Sequence, residues 1–122
     1  MLNKITVMGR LTKDPDIRYT QNQKPVASWT LAIDRDYQSG GTERQTDFVN
    51  CLIWNQGAEF VGRNFKKGQM MALTGRLQSR KWEDSDGKKR VEYEILADTI
   101  YFCGDKPKET FEELPDDGEL SF

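Results

Sequence analysis

The 122-residue chain contains no histidine and only two cysteines, Cys51 and Cys103. Because histidine is the usual side chain for proton transfer and zinc ligation near neutral pH, catalytic triads and zinc sites built on histidine are excluded. Two cysteines form neither a four-thiolate zinc site nor a disulfide framework. We therefore expect no catalytic residue, no metal and no cofactor.

A long hydrophobic run is also missing. No stretch approaches the roughly 20 apolar residues that a membrane-spanning helix needs. The first five residues, Met-Leu-Asn-Lys-Ile, are too polar for a signal peptide. The sequence therefore predicts a cytoplasmic protein in a reducing setting, and its length fits one domain.

Basic residues are absent from the last fourteen positions. Residues 109–122 carry six acidic groups, a net charge of −6, whereas residues 1–108 carry all 18 basic residues with 14 acidic ones, a net charge of +4. An acidic stretch with so few apolar side chains cannot offset the entropy lost on ordering. We predict a folded domain over residues 1–104 and a disordered acidic tail over residues 105–122.

Apolar and polar residues alternate with period two over residues 2–11, which predicts a strand. Four further strands are expected, over residues 26–36, 47–54, 69–82 and 90–102. Between the third and fourth strands, Ala58, Val61 and Phe65 have helical spacing and predict a helix over residues 56–67 that ends before Gly68. Turn signals at residues 39–41 and 86–87 predict hairpins.

Five strands with a single helix after the third are typical of the all-β OB-fold. This fold is a small, partly open barrel whose strand face and long loops bind oligonucleotides or oligosaccharides. The strands alone would also fit an SH3-like barrel or a small sandwich. The position of the helix favours the OB-fold.

Thirteen aromatic residues are distributed among the basic ones. Single-stranded nucleic acids bind to such mixtures, because bases stack on exposed rings while lysine and arginine contact the phosphates. Trp29 lies between Ala27 and Leu31 on one strand face and is expected in the core. Phe48 and Trp54 share the face that is not needed for the core, and we expect both to contact a ligand.

The remaining aromatic and basic residues are assigned by their neighbours. Candidate stacking residues are Tyr37, Phe48, Trp54 and Trp82, and candidate phosphate contacts are Arg10, Lys13, Arg18, Arg35, Arg76, Arg80 and Lys81. Tyr19 could serve either purpose. We expect structural roles for Phe60, Phe65, Tyr93, Tyr101 and Phe102. Lys66 and Lys67 are expected to complement the dipole of the predicted helix.

Three pairs of aspartates leave a metal-dependent nuclease open as a third hypothesis. They are Asp14 with Asp16, Asp34 with Asp36, and Asp84 with Asp86. All three lie at turn signals or near a strand end, where aspartate accepts hydrogen bonds from its own backbone. The pairs are therefore interpreted as turn and strand-end residues.

The sequence resembles the bacterial and phage single-stranded DNA-binding proteins of the homotetrameric OB-fold family. The resemblance runs in order from about residue 2 to 102. Its motifs include Val7-Met8-Gly9-Arg10-Leu11, Asp14-Pro15-Asp16-Ile17-Arg18-Tyr19, Val26-Ala27-Ser28-Trp29-Thr30-Leu31-Ala32, Thr46-Asp47-Phe48, Gly75-Arg76-Leu77 and Arg80-Lys81-Trp82.

This resemblance implies base stacking at Tyr37, Phe48, Trp54 and Trp82, and a core position for Trp29. It also implies a homotetramer that coats single-stranded DNA during replication, recombination and repair. In such proteins an acidic tail with an apolar tip, usually Asp-Asp-Ile-Pro-Phe, docks on replication and repair proteins. Here the corresponding residues are Asp116, Asp117, Glu119, Leu120 and Phe122, with Leu-Ser in place of Ile-Pro. The short tail suggests a phage-encoded or paralogous form.

Besides the nuclease hypothesis, two functions remain open at this stage. The first is sequence-independent binding of single-stranded DNA with recruitment of partners through the tail. The second is an OB-fold protein-interaction module whose DNA binding is weak. Since the tail is acidic and the body basic, we expect the tail to compete weakly with DNA at low salt.

Overall fold

The computed structural model describes residues 1–36 and 45–104. Outside these ranges lie Tyr37, the turn at residues 39–41 and the acidic tail with its five partner-binding candidates. The strands are β1 (Ile5–Leu11), β2 (Asp16–Tyr19), β3 (Pro25–Asp34), β4 (Thr46–Trp54), β5 (Met70–Glu83) and β6 (Lys89–Phe102), and the helix is α1 (Gln56–Asn64).

The five long strands form a closed circuit. β1 runs antiparallel to β5, β5 to β6 and β3 to β4, whereas β4 and β6 are parallel at Cys51–Ile95 and Leu52–Leu96. A short pairing of β1 with β3, at Arg10–Ala32 and Leu11–Leu31, closes the barrel. This order, with α1 between the third and fourth long strands, is the OB-fold predicted from the sequence.

The short strand β2 was not predicted. It lies antiparallel to β3, where Asp16 pairs with Ser28 and Tyr19 with Pro25. Three of its four side chains are exposed, and only Ile17 packs against the core. Such a strand at the edge of a sheet has little hydrophobic alternation, so the sequence pattern predicts a loop there.

Alternation correctly predicts which strand faces form the core. On β3, Ala27, Trp29 and Leu31 are buried, and on β4 so are Cys51 and Ile53. Trp29 is thus a core residue, as expected. Its indole Nε1 is buried without a hydrogen-bond partner among the described residues.

Helix α1 covers the core with Ala58 and Val61, and it ends at Asn64, three residues earlier than predicted. Phe65 has extended backbone angles, yet its ring remains buried and stacks on Phe102 at 5.1 Å between centroids. Lys66 and Lys67 therefore lie beyond the helix, so the predicted role for them at the helix end is wrong. No helix among residues 1–36 and 45–104 is long and apolar enough to cross a membrane.

Candidate nucleic-acid interface

The outer side of β3 and β4 carries polar side chains between two aromatic rings. Thr30 Oγ1 donates a hydrogen bond to Asn50 Oδ1 at 2.9 Å, directly across the two strands. This bond occupies the carbonyl oxygen of the Asn50 side chain, and its NH₂ group has no acceptor within residues 1–36 and 45–104. Neighbouring side chains on a strand point to opposite faces, so the residues of the outer face take no part in packing the core.

Phe48 and Trp54 lie at opposite ends of the outer face of β4. Their positions differ by six residues, which corresponds to about 20 Å along a strand. Phe48 is 67% exposed and Trp54 38% exposed, so both rings have an accessible surface. The structure places both where the sequence predicted, outside the core.

The outer face continues onto the β5–β6 hairpin. Leu52 of β4 pairs with Leu96 of β6, and from there β5 presents Arg80 and Trp82 on the same side. Trp82 is 39% exposed and lies near the tip of the hairpin. Three of the four predicted stacking residues are therefore exposed on one continuous face, and the fourth, Tyr37, lies outside the described residues.

A groove of about 440 Å³ separates the β5–β6 hairpin from the segment that follows β1. The floor of the groove is formed by β3 and β4, with Ser28, Thr30, Asn50 and Leu52. One wall contains Lys13, Asp14 and Asp16, and the opposite wall contains Arg80, Glu92 and Glu94. In OB-folds the strand face between these two loops is where oligonucleotides bind.

Three of the predicted phosphate contacts form ion pairs within the chain. Arg80 Nη2 lies 2.6 Å from Glu92 Oε1, and its Nε lies 3.8 Å from Glu94 Oε1. Arg35 pairs with Asp47 at 2.9 Å, and Arg18 with Asp16 at 2.8 Å. A phosphate would have to compete with these carboxylates for each guanidinium group.

The Arg35–Asp47 pair is bidentate and lies where β3 and β4 part. Nε and Nη2 of Arg35 donate to the two carboxylate oxygens of Asp47 at 3.1 and 2.9 Å, and Nη1 donates to Gln45. These hydrogen bonds hold the pKa of Asp47 below and that of Arg35 above their ordinary values. Arg35 thus lies in the strand-end region that the sequence indicated, on the side of β3 and β4 that carries Ile33 and Val49 and not on the outer face.

The other four basic candidates have different surroundings. Arg10 donates to the carbonyl oxygen of Gly68 at 2.9 Å and so also connects β1 to the turn after α1. Lys13 lines the groove, and Arg76 and Lys81 are exposed on β5. Arg76 faces the same side as Arg80, whereas Lys81 points to the opposite side of the hairpin.

Among the three aspartate pairs, Asp84 has the turn contacts predicted for it, whereas the contact of Asp14 comes from a residue distant in sequence. Oδ1 of Asp84 accepts backbone N–H groups from Asp86 and Lys88, and Arg90 donates to its Oδ2. These hydrogen bonds, that of Lys88 above all, lower the pKa of Asp84. Asp14 accepts the backbone N–H of Lys67. Among the described residues, no group of three or more acidic or cysteine side chains could hold a metal ion.

Two aromatic residues lie on faces that the sequence did not predict. Tyr93 and Tyr101 were expected to be structural, yet both are exposed. On β6, an irregularity at Thr74/Gly75 in the pairing with β5 leaves Asp98 without an opposite residue. Because this extra residue shifts the alternation, Tyr101 points outward although Ile95 and Ala97 point into the core. A bulge of this kind has no clear signal in a single sequence.

A model of the single-strand binding protein family matches residues 2–103. The chain belongs to this family. The single-stranded DNA-binding protein of Caldanaerobacter subterraneus subsp. tengcongensis is 41% identical over 135 residues, covering 96% of this chain and 90% of that protein. That of Bacillus cereus is 42% identical over 120 residues, 94% and 71% of the two chains. Single-stranded DNA-binding protein 2 of Listeria monocytogenes is 43% identical over 106 residues, 87% and 66% of the two chains.

These matches confirm the family resemblance that the sequence motifs indicated. Several relatives are identical at about four positions in ten over nearly the whole of this chain. The residues matched by the family model, 2–103, include β1 to β6, α1 and both walls of the groove.

Proposed function

We propose that the chain binds single-stranded DNA without sequence preference, in the groove between the segment after β1 and the β5–β6 hairpin. Membership of the single-strand binding protein family confirms the expected class of function. The observation that carries the location is the outer face that runs from β4 through β6 to β5. On it, the exposed rings of Phe48, Trp54 and Trp82 lie beside the groove together with Arg80.

Stacking supplies most of the contact in this proposal. Phe48, Trp54 and Trp82 each present an accessible ring, and base–ring stacking contributes about 1–3 kcal/mol per base whatever the base. The polar floor of the groove, with Thr30 and Asn50, offers few hydrogen-bonding groups between the rings. Such a surface supports binding without discrimination among sequences. Tyr37, which lies outside the described residues, is proposed as a fourth stacking residue.

Phosphates are proposed to contact the seven basic candidates named from the sequence. Arg76 and Arg80 lie on the same face as Trp82, and Lys13 lies on the opposite wall of the groove. For Arg18, Arg35 and Arg80, the carboxylate partners would be exchanged for a phosphate when the strand binds. The affinity is therefore expected to decrease with salt, by a log–log slope of about −0.7 per phosphate neutralised.

Tryptophan fluorescence tests this proposal directly. Adding oligo-dT to the full chain is expected to quench the emission of Trp54 and Trp82, and the quenching is expected to be smaller in Trp54→Ala and Trp82→Ala. Trp29 is buried and serves as the internal reference, so Trp29→Phe should leave the quenched signal in place. An absence of quenching at low salt would refute stacking at these positions.

We propose a homotetramer, built through the outside of the barrel away from the groove. Met8, Ala72 and Tyr101 form a row across β1, β5 and β6, and the side chains of Met8 and Tyr101 are 56% and 51% exposed. β1 also pairs with β3 only at Arg10 and Leu11, so its edge over residues 5–8 has no strand beside it among the described residues. An exposed apolar row beside an open strand edge supports association of copies.

We also propose that the chain has no enzymatic activity, acts in the cytoplasm and recruits replication and repair proteins through residues 116–122. The acidic character of this segment and its terminal Phe122 support docking on a basic pocket with an apolar floor. A chain ending at Lys108 should keep full DNA binding. If it loses DNA binding, the alternative of an interaction module that acts through its tail is favoured. Intact oligonucleotide after long incubation with Mg²⁺ would dispose of the nuclease hypothesis.

A further inference from the structure

The β5–β6 hairpin extends past the barrel as a two-stranded ribbon with two exposed faces. One face carries Arg80 and Trp82 and belongs to the proposed groove. The opposite face, here called the second ribbon face, consists of Leu77, Ser79, Lys81, Glu83, Lys89, Val91 and Tyr93. Leu77, Val91 and Tyr93 are among the exposed large hydrophobic residues of the molecule.

Register explains why an aromatic ring is exposed there. Tyr93 lies opposite Ser79, and Val91 lies opposite Lys81. Next along the same face of β6, Ile95 is buried in the core, so the second ribbon face continues the core side of the barrel. Beyond Ile95, none of the described strands covers this side, and the side chain of Tyr93 is 63% exposed.

We propose that the second ribbon face binds single-stranded DNA, with Tyr93 stacking on a base and Lys81 contacting a phosphate. This inference rests on the proposed function, because the strand bound here is the one that occupies the groove. The face presents a ring, two smaller apolar side chains and a basic residue diagonal to the ring, the combination by which single strands are bound without sequence preference. Lys81 and Lys89 outnumber Glu83, so the charge favours a polyanion.

The two ribbon faces are connected at the tip of the hairpin. A cavity of about 480 Å³ there is lined by Lys81, Trp82, Glu83, Lys89, Arg90 and Val91. Trp82 and Arg90 belong to the groove side, whereas Lys81, Lys89 and Val91 belong to the second ribbon face. A strand that leaves Trp82 therefore reaches the second face across the tip without losing contact with the protein.

Photo-crosslinking of the full chain to oligo-dT that contains 5-iodouracil tests the inference. Trypsin cleaves after Lys81 and after Arg90, so Trp82 and Tyr93 fall in different peptides. Fragmentation of the second peptide separates Tyr93 from Tyr101. We expect crosslinks at Tyr93 in addition to those at Trp54 and Trp82.

Binding measurements on variants provide the second readout. Tyr93→Thr removes the ring while keeping a good strand former, and it should weaken oligo-dT binding about tenfold, whereas Tyr93→Phe keeps the ring and should restore binding. Lys81→Gln should reduce the salt slope by about 0.7. Lys66→Gln, which removes an exposed charge in the turn after α1, is the matched control and should not change the slope.

The outcomes separate this inference from the proposed function. The proposal for the second ribbon face would be overturned by crosslinks at Trp54 and Trp82 with none at Tyr93, together with unchanged binding by Tyr93→Thr. The proposal that DNA binds in the groove would be supported by the same result. Loss of oligomer mass in Tyr93→Thr, with no crosslink at that residue, would also overturn the proposal for the second ribbon face, because the face would then join copies of the chain. An absence of crosslinks anywhere would overturn both proposals.

Discussion

Arg80 and Glu92 lie directly opposite each other on β5 and β6, and Arg80 donates a 2.6 Å hydrogen bond from Nη2 to Glu92 Oε1. Glu94 lies on the same side of Arg80 and accepts a hydrogen bond from Gln78 at 3.0 Å. Arg80, a basic residue of the groove wall, is thus already paired with carboxylates of the same wall. The charge that a phosphate meets there is smaller than a count of basic residues implies.

Replacing Glu92 by Gln should strengthen binding of oligo-dT at low salt. The substitution removes a negative charge from the groove wall and releases Arg80 for phosphate. Because the pair is about half exposed, the gain is limited to about fivefold, and the fold should lose little stability. Because Arg80 contacts a phosphate in the complex of either protein, titrations at several salt concentrations should show the same salt slope while the low-salt affinity rises. Glu59→Gln on α1 is the control; an unchanged low-salt affinity in Glu92→Gln would contradict the competition.

Replacing Tyr101 by Glu should lower the oligomeric mass. Tyr101 lies in the outer apolar row with Met8 and Ala72, and a carboxylate buried there without a partner would cost several kcal/mol. Light scattering or native mass spectrometry measures the change. Gln21→Glu, in the exposed turn between β2 and β3, adds the same charge elsewhere and should keep the mass. A tetramer in Tyr101→Glu would place the interface on another surface.

Gly9→Ala should destabilise the barrel by about 1–3 kcal/mol. A Cβ atom at this position would lie 2.6 Å from the carbonyl oxygen of Ala32, where β1 closes against β3. The Ala32 carbonyl is a backbone group of β3 and the Cβ is fixed to the backbone of β1, so the contact is relieved only by separating the two strands. Chemical unfolding measures the loss. Thr6→Ala, at an exposed position of the same strand, should change the free energy of unfolding much less.

Cys51 should resist alkylation in the native protein. Burial raises the pKa of its thiol from 9.0 to about 12, so at pH 8 about three orders of magnitude less thiolate is present than for an exposed cysteine. Iodoacetamide labelling in a Cys103→Ser background, with and without denaturant, measures the difference. The contribution of this thiol to stability is complete below pH 9 and is lost as the pH rises from 9 through about 12. Equal rates in the native and denatured states would show that Cys51 is accessible.

The strand faces could be predicted because burial repeats with period two. Trp29 and Trp54 are chemically alike, yet the neighbours of Trp29 place it in the core and those of Trp54 place it outside. The helix was predicted by the spacing of Ala58, Val61 and Phe65, although it ends early because Phe65 reaches the core from an extended backbone. The hydrophobic pattern thus predicts which side of an element a residue lies on better than it predicts where the element ends.

The short strand β2 and the exposure of Tyr93 could not be predicted from the pattern. The side chains of β2 have little alternation, and it forms because β3 offers an unpaired edge beside it. Tyr93 has the alternation of a core residue, but the ribbon carries it past the end of the barrel. The formation of β2 and the exposure of Tyr93 both depend on which elements lie beside them in the fold. Local sequence patterns do not specify those neighbours.

The sequence by itself determined the order of the long strands and the helix, the faces of the long strands, the family and the outward positions of Phe48 and Trp54. Those features follow from local alternation and from motifs that run the length of the chain. Only the tertiary structure decided which basic residues meet a carboxylate. Arg80 and Glu92 are twelve residues apart, as are Arg35 and Asp47, and each pair meets because hairpin register brings the two strands together. The number of charged residues can be read from the sequence, but the register between strands determines which charged side chains face each other.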